Sequence, residues 1–357
     1  VPMLKEAVAL VGGRMVIETP FLLKIPASFS RLGHVGTSYQ MTQWYPKPAV
    51  YDARGWHAMP YLDMGEFYSE FGSFDVQITL PDNYVVGATG VLQTASERDF
   101  LEKKDAETRA EIERRSHLLT RSEVMKARFS PTPKSSATTK TLHYRAENVH
   151  DFAWFADKRF FVLRDTARLT SGRTVDCWAM FTGDQMDLWR KGAFYVRRAV
   201  EFYSRNVGEY PWPHATAVYS ALGAGGGMEY PMITVIGYNT KSMDLDQVIT
   251  HEVGHNWFYG ILGSNERRHP WLDEGLNSYY EQRYLKEYYG YTGNAYDLVP
   301  RWAFDPARSG SVEENACLLL AREGADIPPD THSDDFFTIA YGIQTYMKPA
   351  LCLEWLE

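Results

Sequence analysis

His251-Glu252-Val253-Gly254-His255 constrains this 357-residue chain more than any other run in it. Two histidines four positions apart meet at one point only on an α-helix, where residues i and i+4 stand one turn apart on the same face. Glu252 projects about 100° around the helix from His251, close enough to touch a water held at that point without being a ligand itself. The surrounding pattern agrees with a helix over about Leu245 to Tyr259, and a second is expected from Trp271 to Tyr289.

A carboxylate for the same point lies in Trp271-Leu272-Asp273-Glu274-Gly275, where eighteen residues separate Glu274 from His255. Gly260, Gly263 and Ser264 can reverse the chain between them, and Pro270 marks the next helix start, so Glu274 can face both histidines. Two His and one Glu with a fourth position left to water are the ligands of a catalytic rather than a structural zinc site. One Zn2+ per site is therefore expected on His251, His255 and Glu274. Asp273 is read as a charge at a helix N-terminus, in preference to a partner for a ligand histidine. Zinc lowers the pKa of bound water and polarises a carbonyl, and Glu252 would act as general base and return the proton to a leaving amine. Peptide hydrolysis is the natural reaction.

The rest of the chain falls into two patterns. From about Val16 to Gln93, short β-prone runs such as Phe74 to Leu80 are broken by Pro and Gly. Charged residues crowd Glu97 to Arg128, which reads as a solvated helical insertion ended by Pro131 and Pro133. Strands are expected again around Thr141 to Arg145, Phe160 to Arg164 and Thr174 to Phe181. The period then changes to that of an amphipathic helix over Met186 to Val207, which places a domain boundary near Ser171-Gly172. A glycine-rich turn at Gly223 to Gly227 and a strand at Met232 to Ile236 precede the zinc-motif helix.

Composition narrows the partners. A formal net charge of -8 argues against nucleic acid, since phosphate binding needs a basic surface. Cys177, Cys317 and Cys352 are odd in number and far apart, so they read as buried free thiols, not as a disulfide framework or a cysteine metal site. No run of about 18 apolar residues encodes a transmembrane helix. The chain starts Val1-Pro2-Met3 and its first residues lack the order of a signal peptide, so it is read as part of a longer protein whose compartment is not legible.

Through these residues the chain resembles the aminopeptidase N family of gluzincin metallopeptidases. The matching runs are His251-Glu252-Val253-Gly254-His255-Asn256-Trp257-Phe258, Trp271-Leu272-Asp273-Glu274-Gly275, and Gly226-Gly227-Met228-Glu229. The resemblance implies a zinc-dependent aminopeptidase that removes the first residue from peptides with a free N-terminus. It also implies a multi-domain architecture: an N-terminal β domain over 1–172 with the charged insertion near 97–130, then a thermolysin-like α+β catalytic domain over 173–357. That second domain would be incomplete at its C-terminal end, and the family's helical C-terminal domain would be missing. Gly226 to Glu229 looks like the family's G-x-M-E-N motif, whose glutamate binds the substrate ammonium group. Here Tyr230 replaces the asparagine and Pro231 follows, which alters the first pocket.

On physical grounds Gly225 to Gly227 would admit a peptide backbone and Glu229 would set a negative charge beside the cleft, although the run alone reads as well as a turn before a strand. Thr42-Gln43 resembles the short segment that the family's β domain sends toward the first-residue pocket; Gln43 reads equally as an edge-strand side chain. Tyr346-Met347-Lys348-Pro349-Ala350-Leu351 resembles the family's Y-x-K-G-A stretch with Pro349 in place of glycine, which implies Tyr346 rather than Tyr341 as the oxyanion donor. Two other readings stay open: an endopeptidase or other small-substrate hydrolase with the same zinc, which would not need Glu229, and a silent scaffold relative, which would be expected to have lost a ligand or the base.

Overall fold

The computed structural model describes residues 16–62, 64–129, 131–221, 226–291 and 311–357. Its N-terminal part is built from strands β1 (Gly33–Val35), β2 (Ser38–Met41), β3 (Val50–Asp52), β4 (Gly55–His57), β5 (Gly72–Pro81), β6 (Val85–Ala88), β7 (Val91–Leu92), β8 (Thr139–Val149) and β9 (Trp154–Asp157). They form a four-stranded sheet in the order β1-β2-β9-β6, a three-stranded sheet β5-β8-β7 and the hairpin β3-β4. Between β7 and β8 stand helices α1 (Ala95–Ser116) and α2 (Arg121–Arg128), the latter opened by a Thr120/Glu123 capping box.

A mixed five-stranded sheet follows, built from β10 (Phe161–Arg168), β11 (Thr174–Phe181), β12 (His214–Tyr219), β13 (Gly227–Tyr230) and β14 (Ile233–Ile236) in the order β10-β11-β12-β14-β13. Its strands alternate as a sheet buried on both faces must. Val175, Cys177, Ala179 and Phe181 of β11 face one core, while Met180 faces the other. The first core is completed by α4 (Gly192–Asn206), α5 (Ser242–Gly254) and α6 (Glu274–Tyr289), the second by the N-terminal strands. The sheet is thus a wall between the helices and the β region. Last come α7 (Val312–Arg322), α8 (Thr338–Gly342), a π turn at Ile343–Met347 and α9 (Lys348–Leu356).

Several expectations shift once packing is seen. The boundary drawn at residue 172 falls in the turn between β10 and β11, which pair in register from Phe161↔Phe181 to Arg168↔Thr174. A sheet cannot be cut through one of its hairpins, so the α+β part begins upstream, near Phe161. The charged insertion is solvated on one face only. It buries Leu101 and Thr108, and it covers the free edge of β10: Thr108 Oγ1 accepts from the Val162 N–H at 3.0 Å and Asp105 Oδ1 from the Arg164 N–H at 2.9 Å. The single helix expected over Met186 to Val207 is broken into α3 (Met186–Trp189) and α4. A Cβ at Gly192 would stand 2.9 Å from that of Ala179, so the break lets α4 start in contact with the sheet. Only Cys177 of the three thiols is buried; Cys352 is exposed.

Candidate metal centre

α5 carries the zinc motif and ends at Gly254, earlier than the period suggests, but His255 keeps helical dihedrals at the cap (φ -62, ψ -15), so the i, i+4 relation survives. The glycine between the motif's residues has a packing reason. A Cβ at Gly254 would lie 2.0 Å from Asn277 Oδ1 and 2.4 Å from the Tyr203 hydroxyl, so α4, α5 and α6 meet at this point. Asn277 then ties α6 to the motif, donating to the His251 carbonyl at 2.7 Å while its own oxygen accepts from Tyr203 at 2.8 Å. Arg198 of α4 reinforces the arrangement through Asp246 of α5 and Tyr284 of α6, the latter at 2.6 Å.

This packing brings Glu274 to the histidines. Its Oε2 stands 3.3 Å from His251 Nε2 and 3.4 Å from His255 Nε2. Ligands bound to a tetrahedral ion at about 2.0–2.2 Å stand roughly 3.3–3.5 Å from one another, so the carboxylate oxygen stands from both nitrogens as a shared zinc ligand would. The chemistry of the other ring nitrogens also fits. His251 Nδ1 is held by Glu281 Oε2 at 2.7 Å and His255 Nδ1 by Asp273 Oδ1, which leaves each Nε2 lone pair for a metal. Asp273 therefore holds His255, a candidate ligand, rather than standing only as a charge at a helix N-terminus. Behind it Glu266 is fully buried, and burial first, then the Asp273 charge, push its carboxyl well above the usual range. Burial works against a charged His251, yet Glu274 and Glu281 raise its pKa well above the ordinary value. The cluster draws positive charge toward itself.

Glu252 and Glu229 stand on the other side of His255. One donor atom from each of Glu229, Glu252 and His255 lies within 4.8 Å of the others, and Glu229 Oε1 and Glu252 Oε2 are buried without a hydrogen-bond partner among the described residues. Burial pushes the Glu252 carboxyl up to about 7 and that of Glu229 well above the usual range. Glu229 projects from the edge strand β13 toward α5, and the neighbouring Met228 and Tyr230 turn into the core shared with the N-terminal sheets. Asn256, next to His255, fixes that hairpin by accepting from the Met232 N–H at 3.0 Å. Gly227 is where close approach is required: a Cβ there would lie 2.5 Å from Glu252 Cγ and Oε1. Gly226 takes the left-handed conformation, φ 62, with open space around it, while Gly223 to Gly225 lie outside the described residues.

Gln43, at φ 47, accepts from the Tyr230 hydroxyl at 3.3 Å, which places it beside the strand of Glu229. Tyr346 donates to Glu274 Oε1 at 2.5 Å and stacks on His251, ring centroids 6.0 Å apart. Tyr341 packs edge-on against Tyr346 at 6.2 Å. Sequence reasoning missed Glu281 and Glu66. Glu281 had a signal: it lies seven residues past Glu274, on the same face of α6. Glu66 had none. It comes from the N-terminal region, is gripped at both oxygens by Arg31, and adds negative charge toward Glu229 and Glu252. Arg267 holds the same loop through the Met64 carbonyl.

Residues 195–350 match the peptidase family M1 domain. Leucine aminopeptidase 2 of Emericella nidulans is 30% identical over 154 residues, 40% of this chain and 24% of that protein. Leucine aminopeptidase 2-1 of Meyerozyma guilliermondii is 31% identical over 123 residues, 32% of this chain and 19% of that protein. The chain thus spans about a quarter or less of the curated relatives it matches. Among solved structures, Legionella pneumophila aminopeptidase A in complex with aspartic acid shares the fold over 92% of this chain and 32% of its own, with a TM-score of 0.54 at 13% identity. The chain is thus similar to the peptidase family M1 domain over residues 195–350, and its β then α+β architecture is shared with the aminopeptidase A structure.

Proposed function

We propose that this chain carries the active site of a zinc-dependent aminopeptidase, which hydrolyses the first peptide bond of peptides with a free N-terminus. The observation that carries the reading is Glu229: a buried carboxylate with one oxygen unpartnered among the described residues, set beside the general-base candidate and a candidate ligand histidine. A buried anion without a cation is costly, and a substrate ammonium group supplies the missing charge. The relatives named as leucine aminopeptidases support the same class.

His251, His255 and Glu274 would hold the zinc, which when bound polarises the scissile carbonyl and lowers the pKa of water. Glu229 binds the substrate ammonium and so fixes which bond lies in reach. Glu252 takes the proton of the attacking water and hands it to the departing amine. The Tyr346 phenol donates a hydrogen bond to the oxyanion that develops on the substrate carbonyl. Gln43 lines the pocket for the first side chain. No helix among the described residues is long and apolar enough to cross a membrane.

Two measurements on the full-length protein test this reading. Peptides with a free amine are expected to be cleaved at least about a hundredfold faster than their N-acetylated forms, with the preference collapsing in Glu229→Gln. Equal cleavage of both forms by the unaltered protein would replace the aminopeptidase reading with an endopeptidase one. Tyr346→Phe is expected to lower kcat about a hundredfold with KM and zinc content little changed, as for a donor used in the transition state. Near-normal turnover in that variant, with Tyr341→Phe crippled, would assign the donor to Tyr341.

A further inference from the structure

The backbone under Tyr346 departs from an α-helix. α8 runs into the π turn at Ile343–Met347, and the Lys348 N–H donates to the Ile343 carbonyl, five residues back instead of four. π turns are rare, and each needs a local cause. Here the cause is adjacent: Pro349 stands in the first turn of α9. A proline within a continuing helix has no N–H for the carbonyl four residues back, and in α geometry its ring presses on that carbonyl. At 349 the carbonyl concerned is that of Thr345. Widening the preceding turn relieves the clash.

The Thr345 hydroxyl donates to the Tyr341 carbonyl at 2.5 Å. The Thr345 carbonyl and the proline ring settle on Gly275, where an added Cβ would stand 2.8 Å from Thr345 O, 2.6 Å from Pro349 Cβ and 2.8 Å from Pro349 Cγ. The turn therefore rests on the residue that follows Glu274, and only a residue without a side chain leaves room for it. Each residue turns an α-helix by about 100°, so the extra residue in the turn redirects the side chains around it by about that angle. In the redirected position the Tyr346 hydroxyl reaches Glu274 Oε1 and the ring lies nearly parallel to His251, at 12°.

We propose that Pro349 is a positioning residue that holds Ile343–Met347 in the π form against Gly275 and thereby aims the Tyr346 phenol into the metal site. The proposal rests on the reading of Tyr346 as oxyanion donor. Pro349 lies beneath the phenol's backbone and acts through it.

The test is Pro349→Ala in the full-length protein. Alanine restores an N–H and raises helix propensity, so the variant is expected to fold. A crystal structure should show the Lys348 N–H returned to the Gln344 carbonyl and Tyr346 turned away from Glu274. Turnover of an aminoacyl amide should fall at least about tenfold in kcat, with KM and zinc content unchanged, and adding Pro349→Ala to Tyr346→Phe should cause no further loss. A π turn and Tyr346 left in place in the variant would overturn the proposal. So would an equal further loss in the Tyr346→Phe background, because a general disturbance acts whether or not the phenol is present. If Tyr346→Phe alone turns over normally, the catalytic reading of the phenol fails, and the crystal structure of Pro349→Ala still decides whether the proline holds the turn.

Discussion

Glu252→Gln is expected to retain zinc and to lose about a thousandfold in turnover, within the range general acid–base catalysis supplies. The amide has nearly the shape of the carboxylate, so the ligands on either side of it on α5 are undisturbed, but it cannot accept a proton from water. The surroundings of Glu252 make the loss specific. It is 5% exposed, and its Oε2 has no hydrogen-bond partner among the described residues, so that oxygen is not tied up in a structural contact whose loss would confuse the result. The absence of a side chain at Gly227 gives it room: the strand bearing Glu229 passes so close that a methyl group there would occupy the carboxylate's place. The checks are the zinc content of the purified full-length variant and steady-state hydrolysis of aminoacyl amides. A variant with near-normal turnover would remove Glu252 from the chemistry, and one without zinc would show that its role is to support the metal.

What the sequence made legible is what short-range geometry controls. The i, i+4 histidines, the carboxylate after a reversing loop and the run before Glu229 are each local, and the structure brings His251, His255, Glu274, Glu252, Glu229 and Tyr346 into one site. What stayed hidden depends on how distant elements pack. The partner of each motif imidazole is fixed by the setting of α6 on α5, which rests on Tyr203, Asn277 and the Arg198 network, all reaching across the sequence. For that reason Asp273 read as a helix-terminal charge and Glu281 went unremarked. The strand β10 belongs to the same sheet as β11 although the period of the sequence changes only after both, because a hairpin carries its two strands together wherever the helices begin. The π turn is illegible for a related reason: Pro349 announces a disturbance, but the direction in which the helix yields is set by Gly275 on another helix.

Removal of zinc is expected to cost stability as well as activity. Glu229, Glu252, Asp273 and Glu274 are all at least nine-tenths buried, Glu281 is half-buried, and they surround two imidazoles. Without a divalent cation, that many carboxylates in a poorly solvated space repel one another, and the cluster must take up protons or open. A ligand held at a hundred to a thousand times its dissociation constant stabilises the folded state by about 3–4 kcal/mol. For a domain of this size that corresponds to a fall in Tm of roughly 5–15 °C on chelation. Thermal unfolding of the full-length protein should show this drop after treatment with a strong chelator and its recovery on addition of one equivalent of zinc, with hydrolysis lost and regained in parallel. The double variant His251→Ala with Glu274→Ala should melt at the same temperature with or without chelator, since two of the three ligands are gone. Unchanged Tm and turnover in the chelated protein would contradict a zinc site here, and so would a double variant that keeps its full zinc content.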